Sequence, residues 1–109
     1  MANAPRMTMA TQLVLRAFLA DPAEELYGSE IGIAAGLMSG TVHPILARLE
    51  SAGWVESRWE DVDPQVAGRP ARRYYRLTGE GAQNARADLA RVLRPQPGRL
   101  APRPEPGLP

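Results

Sequence analysis

Apolar residues recur with helical spacing in four stretches of this chain and alternate with polar ones in two. The clearest stretch is residues 39–53. Val42, Ile45, Leu46 and Leu49 fall at i, i+3, i+4 and i+7, one side of an α-helix. The other side carries Gly40, Thr41, Pro44, Ala47, Arg48 and Ser51, with His43 on the flank. A face of small, polar and cationic residues can approach a large polar surface closely. The major groove of DNA is such a surface, since it admits an α-helix. An ordinary amphipathic helix with a solvated outer face is the commoner meaning of this pattern. The flanking segments change the balance.

Before this stretch the pattern predicts two helices. Thr8 or Thr11 caps one that runs to about Ala20, with Met9, Leu13, Ala17 and Ala20 on one side and Ala10, Val14 and Phe18 beside them. Asp21-Pro22 ends it, because a residue before proline is pushed out of the α region. Leu26-Tyr27 is a short extended piece. Gly28-Ser29 caps the next helix, with Glu30 near its positive end and Ile31, Ala34 and Ala35 facing inward. Gly36 stops it, and Leu37-Met38 fills the turn. Ser39 or Thr41 caps the third helix. Pro44 favours Thr41, which leaves Pro44 in the first turn, where a missing N–H costs nothing. Two short helices joined by a turn containing glycine are a helix-turn-helix pattern.

After Gly53 the period changes to two. Val55, Ser57 and Trp59 alternate with Trp54, Glu56, Arg58 and Glu60; Arg73, Tyr75 and Leu77 alternate with Arg72, Tyr74 and Arg76. Asp63-Pro64 and Gly68-Arg69-Pro70 between them are turn chemistry, so the two strands form a hairpin with a loop of about ten residues. Thr78 caps a last helix, over residues 79–94, whose Ala82, Ala85, Leu89 and Val92 form a narrow seam of heptad-like spacing. Pro95 stops it. The order α, α, α, β, β, α is mostly α with a small β-hairpin wing, an α+β winged helix-turn-helix. Residues 1–7 read as a flexible N-terminal arm, 8–94 as the domain, and 95–109 as a disordered Pro-rich tail.

Composition narrows the chemistry. With no cysteine and one histidine, no disulfide framework, thiolate metal site or nucleophile–base constellation is expected, so the chain reads as a non-enzyme without cofactor or metal. No apolar run approaches the roughly 20 residues of a membrane span, and the N-terminus does not read as a secretory signal; the expected location is the cytoplasm. The net charge of +1 argues against unspecific nucleic-acid binding, while a specific binder needs only local positive charge. All thirteen basic residues are arginine, which suits bidentate phosphate and guanine contacts.

The stretch YGSEIGIAAGLMSGTVHPILARLESAGWVESRWE, followed by GRPARRYYRLTGEG, closely resembles the PadR family of bacterial transcriptional regulators. The matching pieces are Tyr27-Gly28 with Glu30-Ile31, Gly40-Thr41-Val42 with Pro44, Leu46 and Arg48-Leu49-Glu50, Gly53-Trp54-Val55, Gly68-Arg69-Pro70, and Tyr75-Arg76-Leu77-Thr78 with Gly81. The resemblance covers roughly residues 8–94. It implies a dimeric winged-helix repressor on a pseudo-palindromic operator, sometimes relieved by a small aromatic or hydrophobic effector. Family members commonly carry one or more long C-terminal helices for dimerisation. Here one helix of about sixteen residues is followed by the Pro-rich tail, as in a short-tailed form.

On this reading Ser39, Gly40, Thr41, His43 and Pro44 lie at the N-terminal end of the base-reading helix, with Arg48 placed for phosphate. Arg69, Arg72 and Arg73 on the wing hold the sugar–phosphate backbone, Arg69 and Arg72 near its tip, while Arg76 pairs with the first strand. The competing use of these arginines is ion pairing with Glu56, Glu60, Asp61 and Asp63. Trp54 and Trp59 are core residues or, near a dimer interface, a stacking site for a planar effector. Leu13, Leu15, Ala85, Leu89 and Val92 are expected to meet a second copy. A winged-helix module used only for protein–protein contact is the alternative function.

Overall fold

Thr8 opens the first helix: its backbone is extended, and its hydroxyl accepts the Thr11 N–H at 3.1 Å. The computed structural model describes residues 4–93, in the order α1 (Met9–Leu19), β1 (Leu26–Tyr27), α2 (Gly28–Ala35), α3 (Ser39–Ser51), β2 (Val55–Trp59), α4 (Pro64–Ala67), β3 (Arg73–Leu77) and α5 (Gly79–Leu93). The Pro-rich tail lies outside the described residues, as do Arg94 and the first three residues of the N-terminal arm. At the inner end of that arm Met7 packs on the core, and its carbonyl accepts the Gln12 side-chain N–H at 2.9 Å.

The buried side of α1 is Thr11, Val14, Leu15 and Phe18, not the row through Met9, Leu13, Ala17 and Ala20. Met9 and Ala20 are exposed. The favourable term scales with apolar area removed from water, and Val, Leu and Phe at 14, 15 and 18 carry far more of it than the alanines. In α2 the inward residues are Ile31, Gly32 and Ala35; Ala34 faces outward. Tyr27 is the N-cap residue, and its N–H donates to Glu30 Oε1 at 3.1 Å.

The reading helix starts earlier than Pro44 suggests. Met38 is the N-cap of α3, and its carbonyl accepts the N–H groups of Thr41 and Val42. Pro44 therefore lies inside the helix and has no N–H to donate to the Gly40 carbonyl. Both residues are exposed, so solvent can serve that carbonyl. The stripe of Val42, Ile45, Leu46 and Leu49 is buried as its spacing dictates. Each such side chain contributes about 1.5–3 kcal/mol on full burial.

The hairpin acquires a third strand. β3 lies between β1 and β2, antiparallel to both, with Leu26 opposite Tyr75 and Val55 opposite Leu77. The long hairpin loop is not featureless: Asp63 accepts the Gln65 N–H and caps the single turn α4. Thr78 caps α5 through the Gly81 N–H at 2.9 Å. Its own N–H and hydroxyl donate to the carbonyls of Trp54 and Gly53, which fastens α5 to the start of β2.

The seam on α5 turns inward. Ala85 and Leu89 are buried in this chain's own core, and Leu15 is enclosed on α1, so none of the three offers surface to a second copy as the sequence suggested. The domain is small, and these side chains are needed to close it against α1 and the sheet. Leu13 is half-buried and Val92 is 41% exposed; Met9 and Leu93 are exposed beside them in kind. Among the described residues no single helix is long and apolar enough to cross a membrane.

Candidate nucleic-acid interface

The two helices of the central motif meet at 110°, within the range of a helix-turn-helix. The bend needs Gly36 in the left-handed region (φ 72°, ψ 33°), with the Leu37 N–H donating to the Gly32 carbonyl at 2.9 Å. Gly32 is the contact point. A Cβ there would come within 2.9 Å of the Leu37 carbonyl oxygen.

That elbow leaves a whole face of α3 in solvent. Ser39, Gly40, Thr41, His43, Pro44, Ala47, Arg48 and Ser51 are all exposed. Ser39, Gly40 and Thr41 form the first turn; the Thr41 N–H already donates to the Met38 carbonyl, while those of Ser39 and Gly40 lie too early in the helix to have an intrahelical acceptor. The His43 ring lies over the start of α2, so close that a Cβ on Gly28 would sit 3.1 Å from its Cε1. Among the described residues Arg48 makes no ion pair. The sequence reading missed the neighbours of this face. Ile33 and Met38, the latter 82% exposed, border a shallow groove of about 420 Å³ along the glycines of α2. Exposure of an apolar side chain beside a turn has no signature in spacing.

The wing is bound to itself more than the sequence suggested. Arg69 donates two hydrogen bonds to Glu60, at 2.7 and 2.9 Å, and Glu60 also accepts the Arg72 N–H. Arg76 pairs with Glu56 directly across the strands, as expected, and Arg58 with Glu25. Arg69, expected to meet DNA near the wing tip with ion pairing as its competing use, is here in that competing use, paired with Glu60. Arg72 extends its guanidinium over the Tyr27 ring, 4.3 Å from its centre, and makes no ion pair among the described residues. Arg73 lies beside Glu50 and Ser57. Trp54 is only 4% exposed and has no ring face for a ligand, which removes it from an effector site; Trp59 is 62% exposed.

The hydrogen bonds from Arg69, then the Arg72 N–H and both nearby positive charges, pull the Glu60 carboxyl from 4.5 down to about 2. A carboxyl held lower in the folded chain stabilises the fold above its unfolded pKa. That contribution fades as pH falls from about 4.5 through about 2, and is gone only below both values, where folded and unfolded forms are both protonated. Glu60→Gln is expected to flatten the acid side of the stability curve in this window. Urea midpoints of parent and variant at about pH 5 and about pH 2.5 check it, and an unchanged acid dependence would contradict it.

A family model described as the transcriptional regulator PadR-like family matches residues 20–87. Comparison with curated proteins gives no match. Among solved structures, a PadR family transcription regulator from hypervirulent Clostridium difficile R20291 is 25% identical, with a TM-score of 0.61 over 77% of this chain and 86% of that one. The PcaV transcriptional regulator of Streptomyces coelicolor, solved with its natural ligand, is 28% identical, with a TM-score of 0.60 over 84% of this chain. Bacillus subtilis PadR in complex with operator DNA shares the fold at 19% identity, with a TM-score of 0.64 over 90% of this chain. The chain spans only 61% of PcaV and 54% of the Bacillus protein.

Proposed function

Since the chain belongs to the PadR-like family of transcriptional regulators, we propose that it is a homodimeric repressor reading a pseudo-palindromic operator in double-stranded DNA. The observation that carries this reading is the outer face of α3. From Ser39 to Ser51 it is exposed throughout and built of small, polar and cationic residues, and it is braced from behind by four buried side chains. Ser39, Thr41 and His43 read base edges, Gly40 and Pro44 keep the helix surface small enough for close approach, and Arg48 takes a phosphate. On the wing Arg72 and Arg73 contact the backbone, with Arg69 bound to Glu60 in the free protein. Bacillus PadR, bound to its operator, supports the DNA partner. A small hydrophobic effector is part of the proposal on the family resemblance, and PcaV, solved with its natural ligand, supports a ligand of some kind; on this chain Trp59 has the ring face to offer it.

A two-fold protein reads half-sites about 34 Å apart, or a multiple of that distance. Leu13 and Val92, with Met9 and Leu93, are among the apolar side chains left on α1 and α5 to pair across the axis. Footprinting on the promoter of its own gene is expected to protect two such half-sites. Sedimentation at micromolar concentration is expected to give a dimer. A clean monomer that still protects the promoter would overturn the dimer. The internally paired wing arginines favour the alternative, a protein-contact module, to this extent: binding that is weak and insensitive to salt would make that the better reading.

A further inference from the structure

Alternation puts Ser57 and Trp59 of β2 on the same side of the sheet as Arg73 and Tyr75 of β3. At its base this side is core, through Val55 and Leu77; further out it meets the last turns of α3. There Ser57 Oγ donates to Glu50 Oε2 at 2.6 Å. The same oxygen accepts from Arg73 Nε at 3.0 Å and Nη2 at 2.9 Å. A serine hydroxyl has one hydrogen and two lone pairs. The guanidinium has only donors, so the serine hydrogen must go to Glu50, and every position on the hydroxyl is occupied. Nη2 also lies 3.4 Å from Glu50 Oε1. The guanidinium carbon is 5.5 Å from the centre of the Trp59 ring and 5.9 Å from that of Tyr75. Arg73 is therefore held along one edge and between two rings. Among the described residues its Nη1 makes no hydrogen bond, and the side chain is 41% exposed.

The other wing arginines differ. Arg69, Arg58 and Arg76 each spend donors on a carboxylate at 2.7 Å. Only for Arg73 is a neutral hydroxyl the main partner, with the carboxylate one step behind it. We propose that Ser57 and Glu50 are positioning residues that order Arg73 in the free protein so that its open edge takes one DNA phosphate. The proposal rests on the DNA-binding reading above. Its physical basis is preorganisation: a flexible arginine loses rotamer freedom when it binds, and a guanidinium already held loses less.

Order and charge give different readouts. Binding to a random-sequence duplex, titrated across salt concentrations, separates them. Arg73→Ala removes a released counterion and is expected to flatten the log K against log salt slope by about 0.9 per protomer. Ser57→Ala keeps the charge and should leave the slope alone while weakening binding by about 2- to 12-fold per protomer. Glu50→Gln keeps an acceptor for the serine and removes the competing charge, so it should bind at least as tightly as the parent. Melting curves of all three verify that the fold survives. The proposal is overturned if Ser57→Ala binds as the parent does, if it flattens the slope as Arg73→Ala does, or if the random duplex shows no salt-dependent binding. A parent that binds this duplex but does not prefer its own promoter fragment counts against the repressor reading and leaves the phosphate contact standing.

Discussion

Gly81→Ala is expected to lower stability by at least about 3 kcal/mol, the upper end of ordinary overpacking. Gly81 is buried in the first turn of α5 where that helix crosses the start of β2. A Cβ built there would fall on the Trp54 carbonyl, 2.6 Å from its carbon and 2.7 Å from the Trp54 Cα. Backbone cannot rotate aside as a side chain can. The helix would have to lift, and with it would go the Thr78 N–H bond to the same carbonyl and the Thr78 hydroxyl bond to Gly53. For a domain of this size the melting temperature should fall by about 12 °C or more. Gly40→Ala is the matched control. Its Cβ meets nothing within 4 Å, so the fold should tolerate it, although the methyl lands on the reading face. Thermal melts of the two variants test the contrast; a Gly81→Ala protein as stable as the parent would mean that α5 is not docked as described.

Thr41→Ala and His43→Ala are expected to relax sequence preference while leaving general affinity for DNA nearly unchanged. A base-edge contact is worth about 1–3 kcal/mol of discrimination, and a two-fold protein makes it twice. The fold should survive, because both residues are exposed and the buried row of Val42, Ile45, Leu46 and Leu49 is untouched. The measurement is the ratio of affinities for the protein's own promoter fragment and a random duplex, with melting temperature alongside. An unchanged ratio in both variants would mean that α3 is not the reader, whatever its exposure.

The outcome at individual residues shows how much was legible. The four longer helices, both long strands and the turn at Gly36 follow from periodicity and from the few residues that tolerate special backbone angles; the single turn α4 does not. Thr78 was legible as a cap, since a hydroxyl next to an apolar seam has one strong local use. The α3 face was legible too, because a helix that buries Val42, Ile45, Leu46 and Leu49 must expose Gly40, Thr41, Pro44 and Arg48. The start of α3 was misread. Pro44 is unfavourable inside a helix, and here solvent at an exposed turn makes that position tolerable. The α1 stripe was misread because several apolar residues surround that helix, and spacing does not say which of them the neighbouring elements can reach.

The sequence by itself determined the order of the four longer helices and the two longer strands, the helix-turn-helix at their centre and the side of α3 that stays wet. These are local: each rests on bonds and side-chain directions within a turn or a strand, where distance along the chain is distance in space. Only the tertiary structure decided what the arginines do. Arg69 meets Glu60 nine residues away, Arg58 meets Glu25 thirty-three residues away, and Arg73 meets Glu50 and Ser57 from a different strand. It also decided that Ala85, Leu89 and Leu15 close this chain's own core. A charge or an apolar seam carries no label for its partner. The partner is whichever complementary group the packing brings within a few ångströms, and that depends on how all the elements sit together.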